Sequence, residues 1–159
     1  MIISNKIKYF FRLRRNNWGS MLMNLLVSIG IMALLLTISM PALRQYQPNL
    51  QLSSAIRDLT TDLRLAQQLT VTEQNMHVLT INDLTGTYQI IKYEPATTTI
   101  KTVTLPVSIN FQAITGFTDN EIRYNAYGGV IEEGQIILIN TNNNTKTINI
   151  KPSGYVQGE

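Results

Sequence analysis

The chain contains no cysteine and a single histidine in 159 residues. Without cysteine there is no disulfide framework, no thiolate metal site and no thiol nucleophile. A Ser-His-Asp arrangement would have to use His77. Charge is scarce and unevenly placed. Asp, Glu, Lys and Arg make up 14% of the chain, and none of them lies between Arg15 and Arg44. Acid is missing from the first fifteen positions, which carry Lys6, Lys8, Arg12, Arg14 and Arg15. The formal net charge of +3 belongs to that leader: taking its five bases from thirteen leaves eight bases against ten acids, a net −2 for the rest. A body of that charge is not built mainly to bind nucleic acid, which needs clustered Lys and Arg. There is no internal repeat, and no low-complexity linker beyond the Thr and Asn clusters at 97–99 and 140–145.

The uncharged gap holds what the chain has in abundance. Met21 to Leu43, MLMNLLVSIGIMALLLTISMPAL, is nearly all apolar over 23 residues. A helix needs ~20 apolar residues to cross the bilayer core, whereas a cleaved secretory signal has an apolar region of only about 7–15. The run is therefore read as a membrane-spanning helix over 20–43, after a basic leader over 1–19. Arg12, Arg14 and Arg15 stand just before it, and only Arg44 follows closely. The positive-inside rule then places the N-terminus in the cytoplasm and the chain beyond Leu43 outside.

The pattern changes again at 44–75. Leu52, Ile56, Leu59, Leu63, Ala66 and Leu69 recur at spacings of three and four, one apolar stripe of an amphipathic helix. Arg57, Asp58, Thr61, Asp62, Arg64 and Gln68 are assigned to its remaining faces. From Met76 the period drops toward two, and seven strands are expected: 76–82, 87–94, 99–105, 107–112, 121–125, 135–140 and 145–151. Turn residues separate them at 83–86, Gly128-Gly129, 142–144 and 152–154. Short loops between successive strands imply antiparallel meanders. The fold class is α+β: a long N-terminal helix, half in lipid, packed through its second half on an antiparallel β-sheet domain over 76–159. Pro41 and Pro48 interrupt the helix pattern, and Pro41 is the expected kink, because it lacks the N–H of a helical bond.

At this point the N-terminal residues carry a resemblance. A short basic leader ends in Trp18-Gly19, and SMLMNLLVSIGIMALLLTISMPALRQYQ follows at once. This is similar to the N-terminus of type IV prepilins and pseudopilins, the signal read by prepilin peptidase. The family pattern is a Gly, a hydrophobic first mature residue, a Glu four positions later and a Pro about seventeen beyond that Glu. Gly19 matches, and Pro41 stands 17 residues beyond Asn24. The resemblance implies a pilin-like fold, cleavage between Gly19 and Ser20, and N-methylation of Ser20. It also implies a single-pass precursor in the plasma membrane, with its C-terminal part extracytoplasmic, that later enters a filament with a core of bundled helices. The partners it implies are other pilins or pseudopilins, the prepilin peptidase, an inner-membrane assembly platform and membrane lipid. Two positions depart from the pattern: Ser20 stands where Phe is common, and Asn24 replaces the Glu. In the family that acid pairs with the neighbouring subunit's N-terminal ammonium, which Asn24 can bond but not neutralise. That points away from a many-copy shaft subunit and toward the tip.

A second resemblance lies near the C-terminus. Gly134, Ile136 and Leu138, then Ile148 and Ile150, then Gly154 and Val156, are similar to the closing strands of GspH/FimT-type minor pseudopilins. Some FimT-like competence pilins bind DNA through basic residues near the tail. Here GYVQGE ends in Glu159, and Lys146 and Lys151, expected on one face of a strand, do not make a phosphate track. Nucleic acid is therefore not an expected partner. A DNA-binding competence pilin and a membrane-tethered β-domain without a filament are the alternatives.

No catalytic residue, cofactor or metal is expected. His77 reads as a packed or hydrogen-bonded strand residue. Glu132-Glu133 reads as a solvated turn, because neighbours on a strand point to opposite faces. Asp119, Asn120 and Glu121 lack the repeated spacing of a calcium loop. Asn143-Asn144-Thr145 fits a glycosylation sequon, and a turn explains it equally well.

Overall fold

The computed structural model describes residues 18–93 and 96–158. The leader up to Asn17, the end of the second expected strand at Glu94, and the terminal Glu159 lie outside the described residues. A helix α1 spans Trp18–Glu73 and is continuous through both prolines. Eight strands follow: β1 His77–Asn82, β2 Thr87–Lys92, β3 Thr98–Thr104, β4 Ile109–Thr115, β5 Glu121–Arg123, β6 Gly134–Asn140, β7 Thr145–Ile150 and β8 Val156–Gly158. The chain divides into two compact units between Pro41 and Ala42.

In the first unit, residues 19–41 are exposed along their whole length, including Met21, Leu26, Met32, Leu36 and Ile38. Three of the four hydroxyl residues of this stretch bond within their own helix. Ser28 donates to the Asn24 carbonyl (2.8 Å), Thr37 to Ala33 (2.8 Å) and Ser39 to Leu35 (2.9 Å). Such back-bonding satisfies these three hydroxyls in a medium that offers no water.

In the second unit, eight strands form two four-stranded antiparallel sheets. One has the order β3-β2-β1-β5 and the other β4-β6-β7-β8. The expected antiparallel pairing holds, and the expectation of meanders throughout is met only in part. β1-β2-β3 and β6-β7-β8 are meanders, but the chain changes sheets at β3–β4, β4–β5 and β5–β6. Local periodicity says that a segment is a strand and is silent on which strand it pairs with. Strand β8 was not among the seven expected, since three residues carry too short a period to read. Ladder breaks at Ile90/Ile91 and Phe111/Ala113 mark bulges, which raise local twist.

The stripe of α1 packs against both sheets. Leu52, Ile56, Leu59, Leu63 and Ala66 are buried as expected, with Leu79, Tyr88, Ile90, Ile122, Ile136, Leu138 and Ile148 opposite them in one core. Two positions are corrected. Leu69 is only half-buried, and Thr70 takes the buried place, donating its hydroxyl to the Ala66 carbonyl at 2.9 Å. Asp62, assigned to an outer face, is 3% exposed. It stands three residues after Leu59 and four before Ala66, so the stripe's own spacing carries it inward. Its carboxylate accepts a hydrogen bond from the Tyr88 hydroxyl (2.8 Å) and an ion pair from Lys101 Nζ (2.6 Å), fastening α1 to β2 and β3.

His77 on the central strand β1 is fully buried. Its Nδ1 lies 2.9 Å from the Asn75 carbonyl, which can only accept, so Nδ1 carries the proton. Nε2 is 3.6 Å from Glu73 Oε2 and has no hydrogen bond among the described residues. The packed reading of this histidine matches that placement.

Candidate functional site

The sequence singles out Gly19, Ser20, Asn24 and Pro41, and all four lie exposed on α1. Ser20, Asn24 and Ser28 stand four residues apart, which puts them on one face of the helix. Around them the surface is apolar, because nothing among the described residues covers Met21, Leu22, Leu25 or Val27. A continuous uncovered apolar surface marks a membrane or a partner. The two glycines add to this. A Cβ built on Gly19 or Gly30 would meet nothing within 4 Å. Inside a helix Gly costs about 1 kcal/mol relative to Ala. No internal packing offsets that cost at Gly30, whereas close approach of another helix in lipid would.

Pro41 removes the donor that would reach the Thr37 carbonyl, and Pro48 the one for Arg44. Past Pro41 the helix surface becomes polar and is tied to the β-domain by an asparagine cluster. Asn140 and Asn144 each donate Nδ2–H to Asn49 Oδ1 at 2.7 Å, and Asn142 Nδ2 donates to the Gln45 carbonyl at 2.9 Å. Asn140 Oδ1 in turn accepts the main-chain N–H groups of Asn142 and Asn144, both at 2.9 Å. Asn143 takes the left-handed conformation that the turn needs, with φ 61°. The Asn-rich stretch is thus a turn whose amides close on the helix. At the other end of the same helix segment, Gln67 Nε2 donates to the Gly128 carbonyl (2.6 Å) and Arg64 to the Val156 carbonyl (3.3 Å).

Two of the acidic residues weighed from sequence, Glu121 and Glu132, have structural partners. Glu121 is held by Arg123 through Nε (2.9 Å) and Nη2 (2.8 Å). Glu132 is not a freely solvated turn residue. It accepts from the Thr118 main-chain N–H (2.6 Å) and from the Thr118 hydroxyl (2.8 Å). Those two donors, the main-chain one first, hold its carboxyl below the ordinary range. A depressed folded value contributes stability above the unfolded carboxyl value, about 4.3, and that contribution is lost as pH falls through the folded value. Glu132→Gln is therefore expected to lower stability modestly at neutral pH, where the carboxylate accepts both bonds, and the difference from the wild type is expected to shrink as pH falls below about 4.3. Urea midpoints measured across pH 2.5–7 check this.

Lys151 lies past the end of β7 rather than beside Lys146, with Nζ 6.0 Å from the Tyr155 ring centre. The two lysines therefore do not share a strand face. Surface clefts are shallow and open. One of about 560 Å³ is lined by Gln45, Tyr46, Asn49, Asn142 and Asn144. No group of three His, Asp or Glu is placed to hold a metal among the described residues. Sequence reasoning missed the Asp62–Tyr88–Lys101 tie and the Asn49 clasp. The helical period at 59–62–66 was the available signal for the first. Nothing local signals the second, which joins residues 91 and 95 apart in sequence.

Solved structures resemble this arrangement. The minor pseudopilin EpsH from the type 2 secretion system of Vibrio cholerae superposes with a TM-score of 0.59 at 8% identity, covering 69% of this chain and 96% of that one. The type IV minor pilin FimU of Pseudomonas aeruginosa superposes with a TM-score of 0.57 at 14% identity, covering 72% of this chain and 91% of that one. No family model matches the chain, and no curated protein does. The fold is the pilin-like α+β fold of these neighbours.

Proposed function

We propose that the chain is a minor pilin or pseudopilin, a non-enzymatic subunit of a type IV filament machine. The observation that carries the proposal is an apolar helix over 19–41, uncovered by the other described residues, in a protein whose remainder has the pilin-like fold. A helix of that length is satisfied in lipid, since its backbone groups, apart from the first-turn N–H groups and the carbonyl freed by Pro41, bond within it. It can also be satisfied among like helices, where the surroundings are again apolar. Exchange between the two costs little, which is what a subunit drawn from a membrane into a filament needs. In this reading a prepilin peptidase cuts between Gly19 and Ser20, and the new amine at Ser20 is methylated. Asn24 then offers that amine, or a neighbour's, a hydrogen bond but no compensating charge. An uncompensated charge is costly inside an apolar bundle, so the subunit suits a position at the end of the filament. Pro41 frees the Thr37 carbonyl and is the position at which the helix can bend. The β-domain stands outside the membrane and meets other subunits.

The test is processing in cells that hold an active prepilin peptidase. Intact mass and N-terminal sequencing are expected to give a chain that starts at methylated Ser20. Gly19→Asp is expected to keep Met1 and the whole leader. A start at Met1 in the wild type, with the peptidase active on a control substrate, would reduce the protein to a membrane-tethered β-domain.

A further inference from the structure

We infer that the outer edge of β3 is an interaction surface whose partner is the same strand of a second copy of the chain, paired antiparallel about a two-fold axis at Thr102. The pairing needs neither removal of the leader nor a filament. The two sheets have two edges each, and three of those edges are occupied or shielded. β8 runs beside α1: Arg64 Nη2 donates to the Val156 carbonyl (3.3 Å), and a Cβ built on Gly158 would lie 2.9 Å from Ile56 Cγ2. β5 has three residues, and the loop after it closes back on its end. Ile131 N–H donates to the Arg123 carbonyl (3.0 Å), and Tyr124 is bridged to Val130. β4 is bulged between Phe111 and Ala113 and shares a small cleft with Asp83 and Asn120. β3 differs from all three. It pairs with β2 on one side, and among the described residues no main-chain bond is made on its other side. Six of its seven residues are exposed, and Val103 is half-buried.

The side chains leave this edge open to a strand. Free edges are commonly guarded by Pro, by an outward charge or by a bulge. β3 has no Pro, and its one charged residue, Lys101, is turned onto Asp62 at 2.6 Å. The bulge falls at Ile100 and leaves Lys101–Thr104 as a regular run, opposite Ile90, Gln89, Tyr88 and Thr87. Thr98, Thr99, Ile100, Thr102, Val103 and Thr104 are all β-branched, the class that favours extended backbone.

The order of these residues selects the strand's own copy. An antiparallel pair with two-fold symmetry sets one residue against itself and its neighbours against each other in reverse order. Centred on Lys101, it would set two lysines directly opposite, which is unfavourable. Centred on Thr102, it sets Thr102 against Thr102 and Lys101 against Val103. Cross-strand threonines are a favourable pair, and the lysine stem covers the valine. Lys101 and Val103 stand opposite buried Ile90 and Tyr88, so both lie on the core side and each Lys101 keeps its own Asp62. Pairing consumes the open edge of both copies, so association stops at two.

The absence of cysteine makes the experiment direct, because one introduced thiol can form a disulfide only with its own copy. Thr98→Cys, Thr102→Cys and Thr104→Cys would be made in the full chain, with Leu84→Cys on an exposed turn as the control. Each variant would be solubilised in detergent and treated with a mild oxidant. At the axis the two Cα atoms are about 4.5–5.5 Å apart, within disulfide range. At Thr104 four residues of strand separate the two thiols, ~14 Å, and at Thr98 the gap is wider still. Thr102→Cys is therefore expected to form the linked dimer at least about tenfold faster than the other three variants. Equal rates at 102 and 84 would reflect collision alone and overturn the pairing. Equal rates at 98, 102 and 104 would mean parallel or sliding strands and overturn the two-fold arrangement. A maximum at 98 or 104, or no linked dimer at 102, also overturns it.

Discussion

Asp62→Ala is expected to lower the stability of the β-domain by about 3 kcal/mol, because it leaves the buried Tyr88 hydroxyl without an acceptor and removes a charge-assisted bond. The leftover ammonium is not the main cost. Lys101's side chain is 45% exposed and can return to water, whereas Tyr88 is buried and cannot. For a domain of this size the loss corresponds to roughly 10 °C in thermal midpoint. Asp62→Asn keeps a carbonyl oxygen for Tyr88 and is expected to lose distinctly less. Thermal unfolding followed by near-ultraviolet circular dichroism ranks the two variants. Equal losses would show that the tyrosine's acceptor is not what matters, and an unchanged midpoint in Asp62→Ala would remove the tie altogether. The same pair sets an alkaline limit. Burial first, and the Asp62 hydrogen bond second, push the Tyr88 hydroxyl well above its ordinary value. A raised folded value means that its contribution is complete below the unfolded value, about 10, and declines as pH rises beyond it.

Gly154→Ala is expected to be comparably damaging, at about 3 kcal/mol or more, for a steric reason. Gly154 has φ +77°, in the left-handed region that L residues avoid. An added Cβ would lie 2.1 Å from the Gly128 carbonyl oxygen and 2.4 Å from Gln67 Nε2. Those two atoms form the bond that fastens α1 to the 125–129 loop. Backbone oxygen cannot swing aside as a side chain can, so the tail must move. Strand β8 follows immediately and supplies buried Val156 to the core. Gly86→Ala separates the two contributions. Gly86 has φ +63° with nothing within 4 Å, so that variant meets conformational strain alone, about 1 kcal/mol. Urea denaturation with limited proteolysis of the tail is the measurement. Equal costs at the two glycines would mean that the close approach at Gly154 carries no energy.

Sequence alone determined the features that depend on a residue and its near neighbours. The charge gap from Arg15 to Arg44 and the apolar run inside it define a membrane-grade helix without reference to any partner. Spacings of three and four from Leu52 to Ala66 define the buried face, since a helix fixes which residues share a side. Alternation fixes seven strands to within a few residues, and the turn chemistry of Gly and Asn fixes their limits. Tertiary structure decided everything that joins distant positions. The sharing of the strands between two sheets, the addition of β8, the closing of Asn140 and Asn144 on Asn49, and the drawing of Asp62 inward to Tyr88 and Lys101 all depend on which segments meet. Period and propensity are properties of a segment. Pairing and burial are properties of two segments at once, and a carboxylate near an apolar stripe goes to solvent or to the core according to whether a hydroxyl and an ammonium stand opposite it.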